Sequence, residues 1–160
     1  MKQIQSFCID HDRLRPGLYR SRVDGDVVTY DIRTRVPNGG AYMTTGAMHT
    51  VEHLVATYVR NSAYADEVVY FGPMGCRTGF YLLLRDSVAP RAVIALVRDA
   101  FAFTADFSGK IPGSERRECG NYLDHDLAAA RAEAAAMLPI LEGLVEADLD
   151  YPKEGGDECK

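Results

Sequence analysis

His49-Thr50-Val51-Glu52-His53 is the segment richest in chemistry. Residues four apart on a helix share a face, so His49 and His53 can offer ring nitrogens to one ion, and Glu52 can reach the same place. The order is H-x-x-E-H, the reverse of the zincin motif. Two imidazoles need a third ligand to fix a metal while leaving one position open. Cys8, Cys76, Cys119, His11, His125 and the carboxylates are candidates. Cys119 lies in Glu118-Cys119-Gly120-Asn121, where the glycine allows close backbone approach. A thiolate also suits a divalent zinc or iron ion. Spacing alone does not choose Cys119 over Cys76. Cys76 follows Pro73-Met74-Gly75 in a predicted turn. Held there beside a cation it would favour its thiolate form, which makes it a candidate proton carrier or nucleophile. His125, just ahead of a predicted helix, reads as a capping or packing group.

The elements that must position these residues follow from periodicity. Met48, Val51, Val55, Tyr58 and Val59 recur at helical spacing and predict a helix over 45–61. Val28, Tyr30, Ile32, Thr34 and Val36 alternate with Thr29, Asp31, Arg33 and Arg35, a strand over 26–36 with one face in the core. Asp24-Gly25 suits a tight hairpin from a strand over 18–23, and Pro37-Asn38-Gly39-Gly40 ends the longer strand. Residues 5–10 read as a short edge strand, and further strands are expected at 66–71 and 78–85 around a sharp turn at 72–76. Val93, Leu96, Val97, Ala100 and Phe101 mark a second helix. An alanine-rich third runs from Asp126 to Gly143 with a kink expected at Pro139. Strands that neighbour one another as hairpins, interrupted by helices, predict an α+β domain with a mainly antiparallel sheet packed against helices.

Bulk properties narrow the classes. The 160 residues carry a net charge of −5, which gives no sign of a nucleic-acid surface. From Glu146 to Lys160 there are six acids and two lysines, so one catalytic domain over 1–145 followed by an acidic tail over 146–160 is expected. The N-terminal segment lacks the apolar run of a signal peptide, and no stretch reaches the ~20 apolar residues of a membrane span. The four cysteines form no C-x-x-C pair. Together these point to a cytoplasmic protein with reduced thiols.

Five groups of residues then occur in an order that resembles a known family. They are Ser6-Phe7 with Asp10-His11, Tyr30-Asp31-Ile32-Arg33 with Pro37-Asn38, the run 49–61, the run 73–82, and Glu118 to Tyr122 with His125-Asp126-Leu127. The chain is similar to the S-ribosylhomocysteine lyases, the LuxS enzymes that make the autoinducer-2 precursor. The resemblance implies a metal on His49, His53 and Cys119, natively Fe(II) and often zinc after purification. It implies Cys76 and Glu52 as the acid/base pair, with Ser6, His11, Arg33 and Arg60 as substrate contacts. It also implies a homodimer with its sites at the interface. The implied reaction moves a sugar carbonyl from C1 to C3 by proton shifts, then eliminates homocysteine to leave 4,5-dihydroxy-2,3-pentanedione. Two segments depart from the pattern. Tyr70-Phe71-Gly72 stands where the family usually carries an Asp-containing stretch, and 15–20 differs from the usual APYVR.

Rival readings make different demands. A peptidase of the inverted motif would need a carboxylate as third ligand. A copper carrier would pair His₂Cys with a methionine such as Met74, usually on a β-sandwich rather than a helix. A structural zinc site would close the tetrahedron with a fourth protein ligand.

Overall fold

The computed structural model describes residues 9–152. Ser6, Cys8, Cys159 and most of the expected strand at 5–10 lie outside them, and Ile9 and Asp10 are not in a strand.

Four strands form one antiparallel sheet: β1 (Gly17–Asp24), β2 (Val27–Arg33), β3 (Val68–Pro73) and β4 (Gly79–Arg85), in the order β1-β2-β4-β3. The β1–β2 hairpin closes on Gly25, whose φ of 61° is a conformation glycine adopts without steric cost. The β3–β4 turn closes with the Arg77 amide on the Met74 carbonyl, and Arg77 itself has φ of 60°. Gly72 and Pro73 belong to β3 and β4 begins at Gly79, so the turn spans 74–78, two residues later than the expected 72–76.

Three helices cover one face of the sheet: α1 (Thr45–Arg60), α2 (Pro90–Asp106) and α3 (Leu127–Glu142). Thr44 caps α1 by accepting from the Ala47 amide, and Asp126 caps α3 by accepting from the Ala129 amide. Pro139 sits within α3, which continues to Glu142. The core lies between these layers, with Tyr30, Ile32, Phe80 and Leu82 from the sheet against Val51 and Val55 of α1. The α+β domain with an antiparallel sheet is therefore as expected.

Two expectations need correction. The face of β2 expected outside the core is also buried, with Thr29, Asp31 and Arg33 at 7%, 0% and 2% exposure. The cover comes from the segment expected to be tail. Glu146–Leu149 forms a 3₁₀ turn that buries Leu149 in the core, and Asp150 pairs with Arg20 at 3.1 Å. Tyr151 then stacks on Tyr19, with ring centroids 5.1 Å apart, and its hydroxyl donates to Asp31 Oδ2 at 3.0 Å. Counting acids hid this, because one leucine and one tyrosine outweigh several solvated carboxylates when they find a hydrophobic face.

Candidate metal centre

α1 presents His49 and His53 one turn apart, with ring centroids 4.6 Å apart and planes crossing at 84°. The third and fourth members come from the segment between α2 and α3. That segment folds by short turns, with Ser114 amide to Ile111 carbonyl, Cys119 amide to Glu115 carbonyl and Asp124 amide to Asn121 carbonyl. It brings Cys119 Sγ to 3.3 Å from His49 Nε2 and stacks His125 on His49. The ligand atoms of His49, His53, Cys119 and His125 all lie within 4.8 Å of one another, a group that can hold a single divalent ion.

The backbone prepares these rings for that task. His49 Nδ1 donates to the Asp124 carbonyl and His53 Nδ1 to the Pro112 carbonyl, both at 2.8 Å. A carbonyl can only accept, so each Nδ1 carries the proton and each Nε2 offers its lone pair. Such outer partners fix both tautomer and ring orientation at metal sites. The close approach at Pro112 depends on Gly113. Its φ is +69°, and a Cβ there would sit 3.2 Å from His53 Nδ1. Gly120, the glycine singled out from the sequence, has nothing within 4 Å of that position.

His125, by sequence both a candidate ligand and a capping or packing group, stands in this cluster. The cap of α3 is the next residue, Asp126, whereas His125 Nε2 is buried without a hydrogen-bond partner. Burial pushes its imidazole pKa below the usual range, and His49 and His53 push it the same way. The signal available in the sequence was its place six residues after Cys119.

Of the other expected residues, Arg33, Cys76 and His11 lie around Asp31. Arg33 donates to Asp31 Oδ2 and to Thr78 Oγ1, each at 2.6 Å, and lies 3.9 Å from Cys76 Sγ. Cys76 is exposed on the β3–β4 turn, with Sγ 3.0 Å from Thr78 Oγ1. Burial pushes the Asp31 pKa up while Arg33 and Tyr151 oppose it. Arg33 pays a desolvation penalty for its own charge, yet Asp31 holds it firmly protonated. His11 lies near enough to Asp31 to lower its pKa, and its Nδ1 sits 2.8 Å from the Ile9 carbonyl. Arg60 ends α1 and donates to the carbonyls of Val68 and Val69 on β3. Glu52 is half-buried on α1.

These features define a class: an α+β domain whose H-x-x-E-H helix meets a cysteine from a distant loop in a group able to hold a metal ion. The family model described as S-ribosylhomocysteinase (LuxS) matches residues 4–144. Proteins named S-ribosylhomocysteine lyase are similar along nearly their whole length. The one from Clostridium acetobutylicum is 46% identical over 96% of this chain and 100% of its own. Those from Phocaeicola vulgatus and Clostridium beijerinckii are 47% and 48% identical, each over 95% of this chain and 98% and 99% of their own. The chain belongs to the LuxS family of S-ribosylhomocysteinases.

Proposed function

We propose that this chain is a carbon–sulfur lyase that cleaves S-ribosylhomocysteine to homocysteine and 4,5-dihydroxy-2,3-pentanedione, the autoinducer-2 precursor. Family membership supports the activity, and the observation that carries the metal-dependent reading is the convergence of two pre-oriented imidazoles and one sulfur. His49, His53 and Cys119 hold one divalent ion, natively Fe(II), with zinc able to replace it. When bound, the ion supplies Lewis acidity, which makes hydrogens next to a sugar carbonyl removable. The third donor is sulfur and not the carboxylate of the peptidase reading.

The chain's own groups do the proton work. Cys76 carries the proton of the first carbonyl shift. Glu52 serves the second shift and the elimination, in which the C–S bond breaks and homocysteine leaves as its thiol. Ser6, His11, Arg33 and Arg60 hold the sugar and the amino-acid end. For Arg33 the neighbourhood of Cys76 supports this role. Arg60 keeps donors beyond those bound to β3.

The working unit is a homodimer with its sites at the interface, in the cytoplasm. Val23, Val69 and Tyr70 are apolar or aromatic side chains left exposed on the two edge strands, which supports a protein partner there. Among the described residues, no helix is long and apolar enough to cross a membrane.

The test replaces the two proton carriers. Cys76→Ala and Glu52→Gln should each abolish thiol release from S-ribosylhomocysteine while one metal ion per chain remains by elemental analysis. Metal loss in either variant, or turnover near the parent rate, would contradict these roles.

A further inference from the structure

We propose that His125 is a positioning residue that aims an uncommitted nitrogen at the hydroxyl-bearing group in the ion's open place, and is not a fourth protein ligand. The inference deepens the single-ion reading above and rests on it.

Proton accounting fixes the ring. The Thr50 hydroxyl donates its one proton to the Gly46 carbonyl at 2.8 Å, and its oxygen accepts from the Asp126 amide at 3.0 Å. His125 Nδ1 lies 3.2 Å from that same oxygen. With the hydroxyl proton on its shorter contact, the Gly46 carbonyl, Nδ1 is the donor and Nε2 carries a lone pair. That lone pair is buried and unpartnered, beside donor atoms of His49, His53 and Cys119. A buried acceptor without a partner is unfavourable, and it is stabilised by whatever donor arrives with the bound state.

Ring geometry decides between ligand and acceptor. An imidazole holds a metal in its own ring plane along the nitrogen lone pair. The His49 and His53 planes cross at 84°, so both can contain one ion. His125 instead stacks on His49, with centroids 4.1 Å apart and planes only 20° apart. Such planes meet on the order of 10 Å away (4.1 Å over tan 20°), far beyond an imidazole–metal bond of ~2.1 Å. An ion seated on His49 therefore lies to one side of the His125 lone pair. The lone pair points past the ion's flank, where an adjacent group would sit.

The chemistry of that group follows. An acceptor selects a hydrogen donor, and among neutral groups in a sugar chain only hydroxyls donate. A carbonyl or an ether in that place would leave Nε2 unsatisfied. His125 thus favours a substrate that places a hydroxyl beside the atom facing the ion, with water as its stand-in. No change of charge on His125 is involved.

The test uses the full chain loaded with Co(II). X-ray absorption of the parent protein should count two imidazoles and one sulfur on the ion, and three imidazoles would overturn the proposal. His125→Phe keeps a stacked ring without a nitrogen, and His125→Gln returns an acceptor oxygen near the Nε2 position. His125→Phe should bind one Co(II) per chain within tenfold of the parent affinity, with the thiolate charge-transfer band intact and the d–d bands shifted. Its kcat should fall about 10–100-fold, the usual cost of an outer partner, with the larger part recovered in His125→Gln. A larger affinity loss would make His125 a ligand, and unchanged d–d bands with full kcat would make it packing. Should the Phe variant not fold, the imidazole count still decides. Failure of the parent protein to take up one Co(II) with a thiolate band would instead sink the single-ion reading itself.

Discussion

The chain holds two polar clusters, one half-buried and one buried, and they are built on opposite principles. In the His49–His53–Cys119–His125 cluster no carboxylate takes part, and two ring protons face backbone carbonyls. Lone pairs and a sulfur converge, an arrangement suited to a cation. In the Asp31–Arg33 cluster the charges already neutralise one another at 2.6 Å, with Thr78 and Tyr151 taking further hydrogen bonds. One cluster is arranged to receive a guest. The other carries its own counter-charge beside the Cys76 turn, although Asp31 Oδ1 and Arg33 Nε are buried without a hydrogen-bond partner.

Removing a metal donor should give the largest effect on activity and little on the fold. His49→Ala and Cys119→Ala should each lose the ion by elemental analysis. Thiol release should fall by ~10³-fold or more, since Lewis acidity is worth several kcal/mol and each ~1.4 kcal/mol is tenfold. Retained metal with parent turnover would erase the contrast.

The Asp31–Arg33 cluster should answer in stability as well as in turnover, since Arg33 is also the proposed substrate contact. Arg33→Ala leaves the buried Asp31 carboxylate uncompensated and should cost ~3–5 kcal/mol in denaturant unfolding. Metal content should stay at one ion per chain in whatever fraction folds, and a parallel loss of metal would mean that the clusters are one unit. Tyr151→Phe removes one donor to the same carboxylate and should cost about 2 kcal/mol by the same measurement. No change would mean that the C-terminal segment is not docked.

Gly113→Ala should be smallest. A Cβ at positive φ costs roughly 1–2 kcal/mol, and it also crowds His53 Nδ1. Calorimetric titration should show weaker metal binding, whereas Gly120→Ala should leave it unchanged.

The two clusters also differ in how much of them the sequence shows. His49 and His53 are legible because their convergence is local, set by 3.6 residues per turn. Cys119 came from the resemblance, since a loop ligand has no periodicity to read. His125 is one of several candidate ligands by sequence, and spacing does not single it out because its surroundings depend on where the segment 107–126 docks on α1, through contacts such as the Asp124 carbonyl on His49. Strand alternation placed Tyr30 and Ile32 inward correctly, yet it assigned Asp31 and Arg33 outside the core. Tyr151, 120 residues away in the chain, reaches Asp31, and Thr78 reaches Arg33; no local pattern carries that information.

The central claim is that one ion on His49, His53 and Cys119 is required for carbon–sulfur cleavage. Chelator-stripped protein should release no thiol from S-ribosylhomocysteine, and stepwise addition of Fe(II) or Co(II) should restore release in proportion, with a break at one equivalent per chain. Thiol release at the full rate from stripped protein, or recovery with no break at one equivalent, would contradict it.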